Sequence, residues 1–302
     1  MPKTRVTGAL GRIRQSSCRR FTIRTSRFRI NLALFVLTAI TTTIAGALQA
    51  DKGGDDWLSY FLSGWVFSVP LLSILLVHEM GHYIAARLNR LDVTPPFFLP
   101  GPPPVGTFGA FIKIRSMITN RRALMQVGAS GPVAGAILAI PLLTVGLFLS
   151  EISHEPPKGE SLAFGTSLIL ELLSLVRFWE YTSNVNIILH PTAVAAWFGL
   201  FVTAMNLLPI GQLDGGHVIY ALVGPRKATL FSYGFFGILI PLGVFVWPGW
   251  LVFGALVFVL GLRHPAPLDP ITPLSRGARL LGWTALVLFI LTFVPVPISI
   301  TP

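Results

Sequence analysis

Three side chains that could hold and use a metal ion fall within five consecutive residues: His78, Glu79 and His82 of LLVHEMGHYI. On an α-helix, residues four apart share a face, so both imidazoles can reach one ion. Glu79 lies where it can handle the proton of a water bound to that ion, which is the chemistry of an H-E-x-x-H helix. The surrounding run is hydrocarbon. Polar clusters in such runs usually face protein and serve a site, because an isolated charge in a bilayer core is expensive.

Two histidines leave a catalytic zinc incomplete, since such sites take three protein ligands and keep one position for water. The third ligand is expected at similar depth on another element. NLLPIGQLDGGH supplies Asp214, a carboxylate in an apolar, glycine-broken stretch with no Lys or Arg close by in sequence. The competing reading is a turn aspartate bonding its own backbone, but the unfinished two-histidine site favours a ligand. The expected set is therefore His78, His82 and Asp214 around one Zn2+ per chain, with Glu79 as the proton-transfer residue. His217, three residues after Asp214, is a weak competitor as ligand. His190 is expected to cap or anchor a helix, and His154 and His264 lie near loops and need no special role. GASG also fits a Gly-x-Ser-Gly nucleophile pattern, in which Ser130 would need a histidine base. That reading leaves HEMGH and LDGG without a purpose, whereas packing explains the small residues.

The elements that must position these groups are membrane helices. Hydrophobic residues make up 53% of the 302 and charged residues 12%, against about 25% charged in soluble domains. The formal charge of +11 is concentrated in an acid-free start, residues 1–29, directly before the apolar run INLALFVLTAITTTIAGALQA. That arrangement is the basic flank of a first span and puts the N-terminus in the cytoplasm. No aromatic-interleaved basic motif accompanies the charge, so nucleic acid is not an expected partner; membrane lipids are. Cys18 is the only cysteine, which excludes an intramolecular disulfide.

The expected fold is a polytopic α-helical membrane protein of about six transmembrane helices with a short β-hairpin or sheet element at the cytoplasmic side. Its parts are a basic cytoplasmic tail (1–29), a first transmembrane helix and outer loop (30–56), a catalytic membrane core (57–227) and a C-terminal transmembrane region (228–302). Arg87 with Arg90, and Arg226 with Lys227, return the chain to the basic side. His82 lies only about 7 Å along a helix from Arg87, which places the metal toward that side. DVTPPFFLPGPPPVG is too proline-rich for a helix interior, and TFGAFIKI has the alternation of a short strand pair. Residues 161–177 suit a span, a half-span or an interfacial helix. Pro209, Gly211, Gly215 and Gly216 predict an unwound segment at membrane depth, tolerated only where protein satisfies its backbone.

HEMGH, GTFGA, GASGPVAG and NLLPIGQLDGGH, in this order, resemble the site-2 protease family of intramembrane zinc metalloproteases, especially its compact bacterial, archaeal and plastid branch. The resemblance covers about residues 63–222. It implies a zinc-dependent endopeptidase that hydrolyses peptide bonds in or near transmembrane segments of membrane proteins, single-pass proteins first. It also implies that His78, His82 and Asp214 bind zinc and that Glu79 is the general base or acid. Asn206 and Pro209 would shape the loop that brings the aspartate in, with Asn206 a catalytic candidate for contacting substrate or the oxyanion. A homo-oligomer and an adaptor stay open. The alternative is a non-proteolytic metal transporter or scaffold retaining the fold. The expected location is a cell inner or plasma membrane, with an organelle membrane as the other option.

Overall fold

The computed structural model describes residues 25–50, 56–153, 161–179 and 186–301. Most of the expected basic tail (1–24), residues 51–55 of the expected outer loop, and the acidic stretch containing His154, Glu155 and Glu160 lie outside the described residues.

The chain opens with α1 (Thr25–Ala50), α2 (Trp57–Ser63) and α3 (Trp65–Leu88). Gly64 joins the last two and lets α3 press on α1, since a Cβ there would lie 1.9 Å from the Thr43 carbonyl oxygen. A hairpin follows, β1 (Phe97–Pro100) with β2 (Thr107–Phe111), antiparallel with Phe97 opposite Phe111. The strand partner of TFGAF is thus the proline-rich run itself. Next come α4 (Arg121–Phe148), β3 (Glu151–Ser153), β4 (Ser161–Phe164), α5 (Leu168–Phe178) and β5 (Asn186–Ile188). The remainder is α6 (Pro191–Asn206), α7 (Asp214–Val223), α8 (Pro225–Phe245), α9 (Gly249–Leu260), α10 (Arg276–Thr292) and β6 (Ile298–Thr301).

Helices α3, α4 and α6 form the centre. Phe67, Leu71 and Ile74 of α3, Ala139, Leu143 and Leu147 of α4, and Ala193, Trp197 and Phe198 of α6 share one buried core. Small residues set the spacing, as expected where packing rather than water drives helices together. A Cβ on Gly146 would lie 2.4 Å from the Ala193 nitrogen, and one on Gly199 2.7 Å from Ile74.

Four segments are long and apolar enough to cross a membrane: Arg29–Ala50, Trp57–Leu88, Arg121–Phe148 and Pro225–Phe245. The core helix α6 has 16 residues and α10 has 17, just short of the usual span of about 20. The 11 residues of α5 are too few for a crossing, which removes the full-span reading of that stretch.

The element ends sort into two faces. One carries the turn after α3, the start of α4, the loop after α6 and the loop 261–275, whose Leu268 and Asp269 N–H groups donate to the carbonyls of Ile118 and Thr119. The other carries the β3–β5 and β4–β6 pairs.

The hairpin departs from the expected place at one end of the molecule. Asn31 donates to the Pro96 carbonyl at 3.1 Å, Thr41 to that of Gly106 at 2.6 Å, and Gln49 to that of Pro104 at 2.6 Å. From Asn31 to Gln49 is about 27 Å of helix, so the hairpin runs along α1 rather than capping it. Two features permit this. Prolines have no N–H to leave unsatisfied, and polar side chains of α1 answer the hairpin's carbonyls.

Candidate metal centre

His78, Glu79 and His82 lie on α3 and are all buried, with ligand atoms within 4.8 Å of one another. Asp214 is the first residue of α7, directly after the N-cap Leu213. The Asp214 Oδ2 lies 3.1 Å from His82 Nε2 and 3.5 Å from His78 Nε2, and the two Nε2 atoms are 3.2 Å apart. The edge of a tetrahedron with metal–ligand bonds of about 2.0–2.1 Å is roughly 3.3 Å. The three atoms therefore form one face of a zinc-sized tetrahedron, leaving a fourth corner for water or substrate. His82 Nδ1 meets the Val127 carbonyl at 2.6 Å, so it carries the proton there and leaves Nε2 bare toward the triangle. The donor set of two imidazoles and one carboxylate suits zinc.

Helix α4 makes room for this triangle by lacking side chains. A Cβ on Gly131 would sit 2.1 Å from His82 Nε2, one on Gly135 3.1 Å from His78 Nδ1, and one on Gly128 2.5 Å from the His217 Cβ. These glycines recur at helical spacing on the α4 face that meets α3 and α7. Ser130 donates its hydroxyl to the Gly81 carbonyl at 2.9 Å. It ties α4 to α3, and among the described residues no histidine base pairs with it.

The unwound segment before Asp214 is satisfied as its glycines and proline require. Gly211 has φ +51°, and its N–H donates to Ser232 Oγ of α8 at 3.0 Å. Gly215 and Gly216 lie against the carbonyls of Leu207 and Gly211, where a Cβ would come within 1.9 and 2.2 Å. At its other end α7 is held by Arg121, whose Nη2 donates to the Ala221 carbonyl at 2.6 Å.

Of the remaining expected residues, Glu79 is buried beside the two histidines on α3. Asn206 ends α6, half-buried; among the described residues no hydrogen bond joins it to the triangle. His190 caps α6 by accepting from the Thr192 N–H. His217 turns its Nδ1 to His264 Nε2. His264 was missed as a neighbour of the site, because 47 residues and two helices separate the pair in sequence and nothing local in RHPAP signals the contact.

Comparison with known proteins gives the family. Residues 66–246 match Peptidase family M50. The chain is 32% identical to "Probable zinc metalloprotease EGY1, chloroplastic" of Arabidopsis thaliana, over 89% of this chain and 53% of that protein. It is 32% identical to the Oryza sativa subsp. japonica protein of the same name, over 74% and 39%. It is 30% identical to "Probable zinc metalloprotease EGY2, chloroplastic" of Arabidopsis thaliana, over 84% and 46%. The chain thus spans about half the length of these relatives or less. With its motifs, matched segment and relatives in accord, the chain belongs to peptidase family M50, the site-2 protease family.

Proposed function

We propose that the chain is a zinc-dependent intramembrane endopeptidase acting on transmembrane proteins, single-pass substrates first. The observation that carries this reading is the buried triangle of His78 Nε2, His82 Nε2 and Asp214 Oδ2 with the Glu79 carboxylate beside it. The zinc metalloprotease names of the matched relatives support it. His78, His82 and Asp214 would hold the ion. Zinc bound there would polarise the scissile carbonyl and lower the pKa of water. Glu79 takes the proton on its carboxylate and later gives it to the leaving amine. Asn206, the last residue of α6 before the segment that leads to Asp214, would present its amide to substrate or to the developing oxyanion. An intact helix hides its peptide groups, so cleavage needs local unwinding. β2 pairs with a single strand among the described residues, and its other edge can bond an unwound segment.

The transport alternative calls for polar ligands at successive depths. Among the described residues the metal-binding side chains gather at one place, His78, Glu79 and His82 with Asp214 against them, which favours one reaction centre over a pathway. The core, 57–227, would do the chemistry, with the C-terminal region closing over it.

For the membrane arrangement we read α1, α3, α4, α6, α8, α9 and α10 as seven traverses, with α9 short, instead of the six expected. The metal-centre face and the N-terminus lie on the basic, cytoplasm-like side in this reading. The relatives are named chloroplastic; an organelle membrane and a cell inner membrane are the two settings that fit.

Incubation of purified wild type and E79A with single-span substrates, with and without a zinc chelator, tests the proposal. Wild type should cleave, chelator should stop it, added zinc should restore it, and E79A should be inactive. Cleavage by E79A at the wild-type rate would overturn the assignment.

A further inference from the structure

The loop 261–275, between α9 and α10, reaches α7, the helix that begins at Asp214, with the side chain of His264. His264 sets its Nε2 against His217 Nδ1, with the two rings edge-on and centroids 4.7 Å apart. Its ring also packs against Tyr220 at 4.6 Å. His217 is one turn after Asp214 on α7, and Tyr220 is one turn further. On its far side His217 lies against Gly128 of α4, where a Cβ would come within 2.5 Å. The first turns of α7 are therefore held between a glycine face and His264. The loop that carries His264 is itself anchored, through Leu268 and Asp269 to the carbonyls of Ile118 and Thr119, and through the Asp269 carboxylate to the N–H groups of Ile271 and Thr272.

We propose that His264 is a positioning residue for the metal centre, acting through His217 to fix the rotation of α7 and so the place of the Asp214 carboxylate. The inference rests on the proposed ligand set. It also reaches beyond the family match, which ends at residue 246. The need for such a brace is physical. α7 has 10 residues beginning Asp-Gly-Gly, a start with poor helix propensity in a helix too short to be stable alone. A rotation of about 10° moves an atom roughly 5 Å from the axis by about 1 Å. Metal–ligand distances tolerate about 0.2 Å. Burial holds the His264 pKa down at about 4, so this ring is neutral at pH 7 and the contact joins an N–H to a lone pair.

The test is zinc affinity, measured by chelator competition on the purified full chain, so that no turnover is needed. Wild type, D214A, H264F and H264Q are compared. Phe keeps a ring and removes the nitrogen; Gln places its Nε2 where the histidine Nε2 stood. H264F should weaken zinc binding about 10- to 100-fold, as loss of a ligand-orienting partner does, and H264Q should restore most of it. Adding H217F to H264F should cost little more, since both remove one interaction. Should H264F not fold, H264L is read in the same way. Normal affinity in H264F beside lost affinity in D214A would overturn the inference and leave the ligand set standing. Equal weakening in H264F and H264Q would also overturn it, because a hydrogen-bonding nitrogen restored at this place would then not restore the metal site. Normal affinity in D214A would remove the ligand assignment and the inference with it.

Discussion

At the scale of single residues, the proposed centre would separate holding a metal from using it. Glu79 is in the cluster but outside the triangle of closest atoms, so replacing it with Gln should leave most of the zinc in place while cutting peptide hydrolysis by about 10²- to 10⁴-fold, the usual contribution of a general acid–base group. Metal analysis and a cleavage assay on the same preparation check both halves. Comparable hydrolysis by E79Q would contradict its assigned role. H78A, H82A and D214A should instead each strip the zinc. Gly131 offers a sharper case, because it has no chemistry of its own. An added methyl would stand 2.1 Å from His82 Nε2, and that ring cannot retreat without leaving the Val127 carbonyl it bonds through Nδ1. Elsewhere in a helix interior Gly→Ala would stabilise by about 0.5–1 kcal/mol. Here G131A should lose zinc and activity together, whereas G277A, where nothing lies within 4 Å of a new Cβ, should keep both. A zinc-replete, active G131A would mean that α4 does not press on the histidines.

At the scale of elements, the working parts differ in how far local sequence could reveal them. The H-E-x-x-H helix is legible because one pattern of residues four apart encodes both its geometry and its chemistry. Asp214 is legible because a carboxylate and three glycines in an apolar run have few other uses. The hairpin is only half legible: alternation marks β2, but β1 hides among prolines, and its course along α1 depends on Asn31, Thr41 and Gln49, 55 or more residues away from the carbonyls they meet. Partners that distant leave no periodic trace. The same holds for His264. The hairpin's anchoring is open to test through Thr41, whose Oγ1 meets the Gly106 carbonyl at 2.6 Å. T41V keeps the shape and removes the donor. It should slow cleavage of a stable helical substrate more than that of one already unwound by helix breakers, with zinc unchanged. Proline at Ala110 or Phe111 takes an N–H from β2, and one of the two, whichever faces the open edge, should show the same selectivity more strongly. If all three variants fold, bind zinc and process both substrates as wild type does, strand pairing at β2 is not how substrate is held.

For the whole molecule, the proposed membrane arrangement turns on the relative direction of the first and last helices, on which the strand pairs bear. Four helices have the length and composition to cross, yet the shorter α6, α9 and α10 decide the parity. β6 pairs with β4, from Ser161 opposite Thr301 to Phe164 opposite Ile298, so the C-terminal strand lies on the face reached after α4. The loop before α10 pairs with residues 118–120 at the start of α4. Helix α10 therefore runs in the same direction as α4, and so does α1, whose Asn31 end lies by Pro95 and Pro96 in the turn after α3. If α1 and α10 both cross, a chain that enters along one and leaves along the other in the same direction makes an odd number of traverses, as the proposed seven requires. The prediction is concrete: in a background with Cys18 replaced by Ser, a cysteine at Ile271, which is 84% exposed on the loop before α10, and one at Trp57, 76% exposed at the start of α2, should react with an impermeant thiol reagent from opposite sides of sealed vesicles. An epitope added after residue 302 should be reached from the Trp57 side, and one added before residue 1 from the Ile271 side. Labelling of both cysteines from one side, or both epitopes on one side, would reject the seven-traverse arrangement and with it the placement of the metal centre near the N-terminal face.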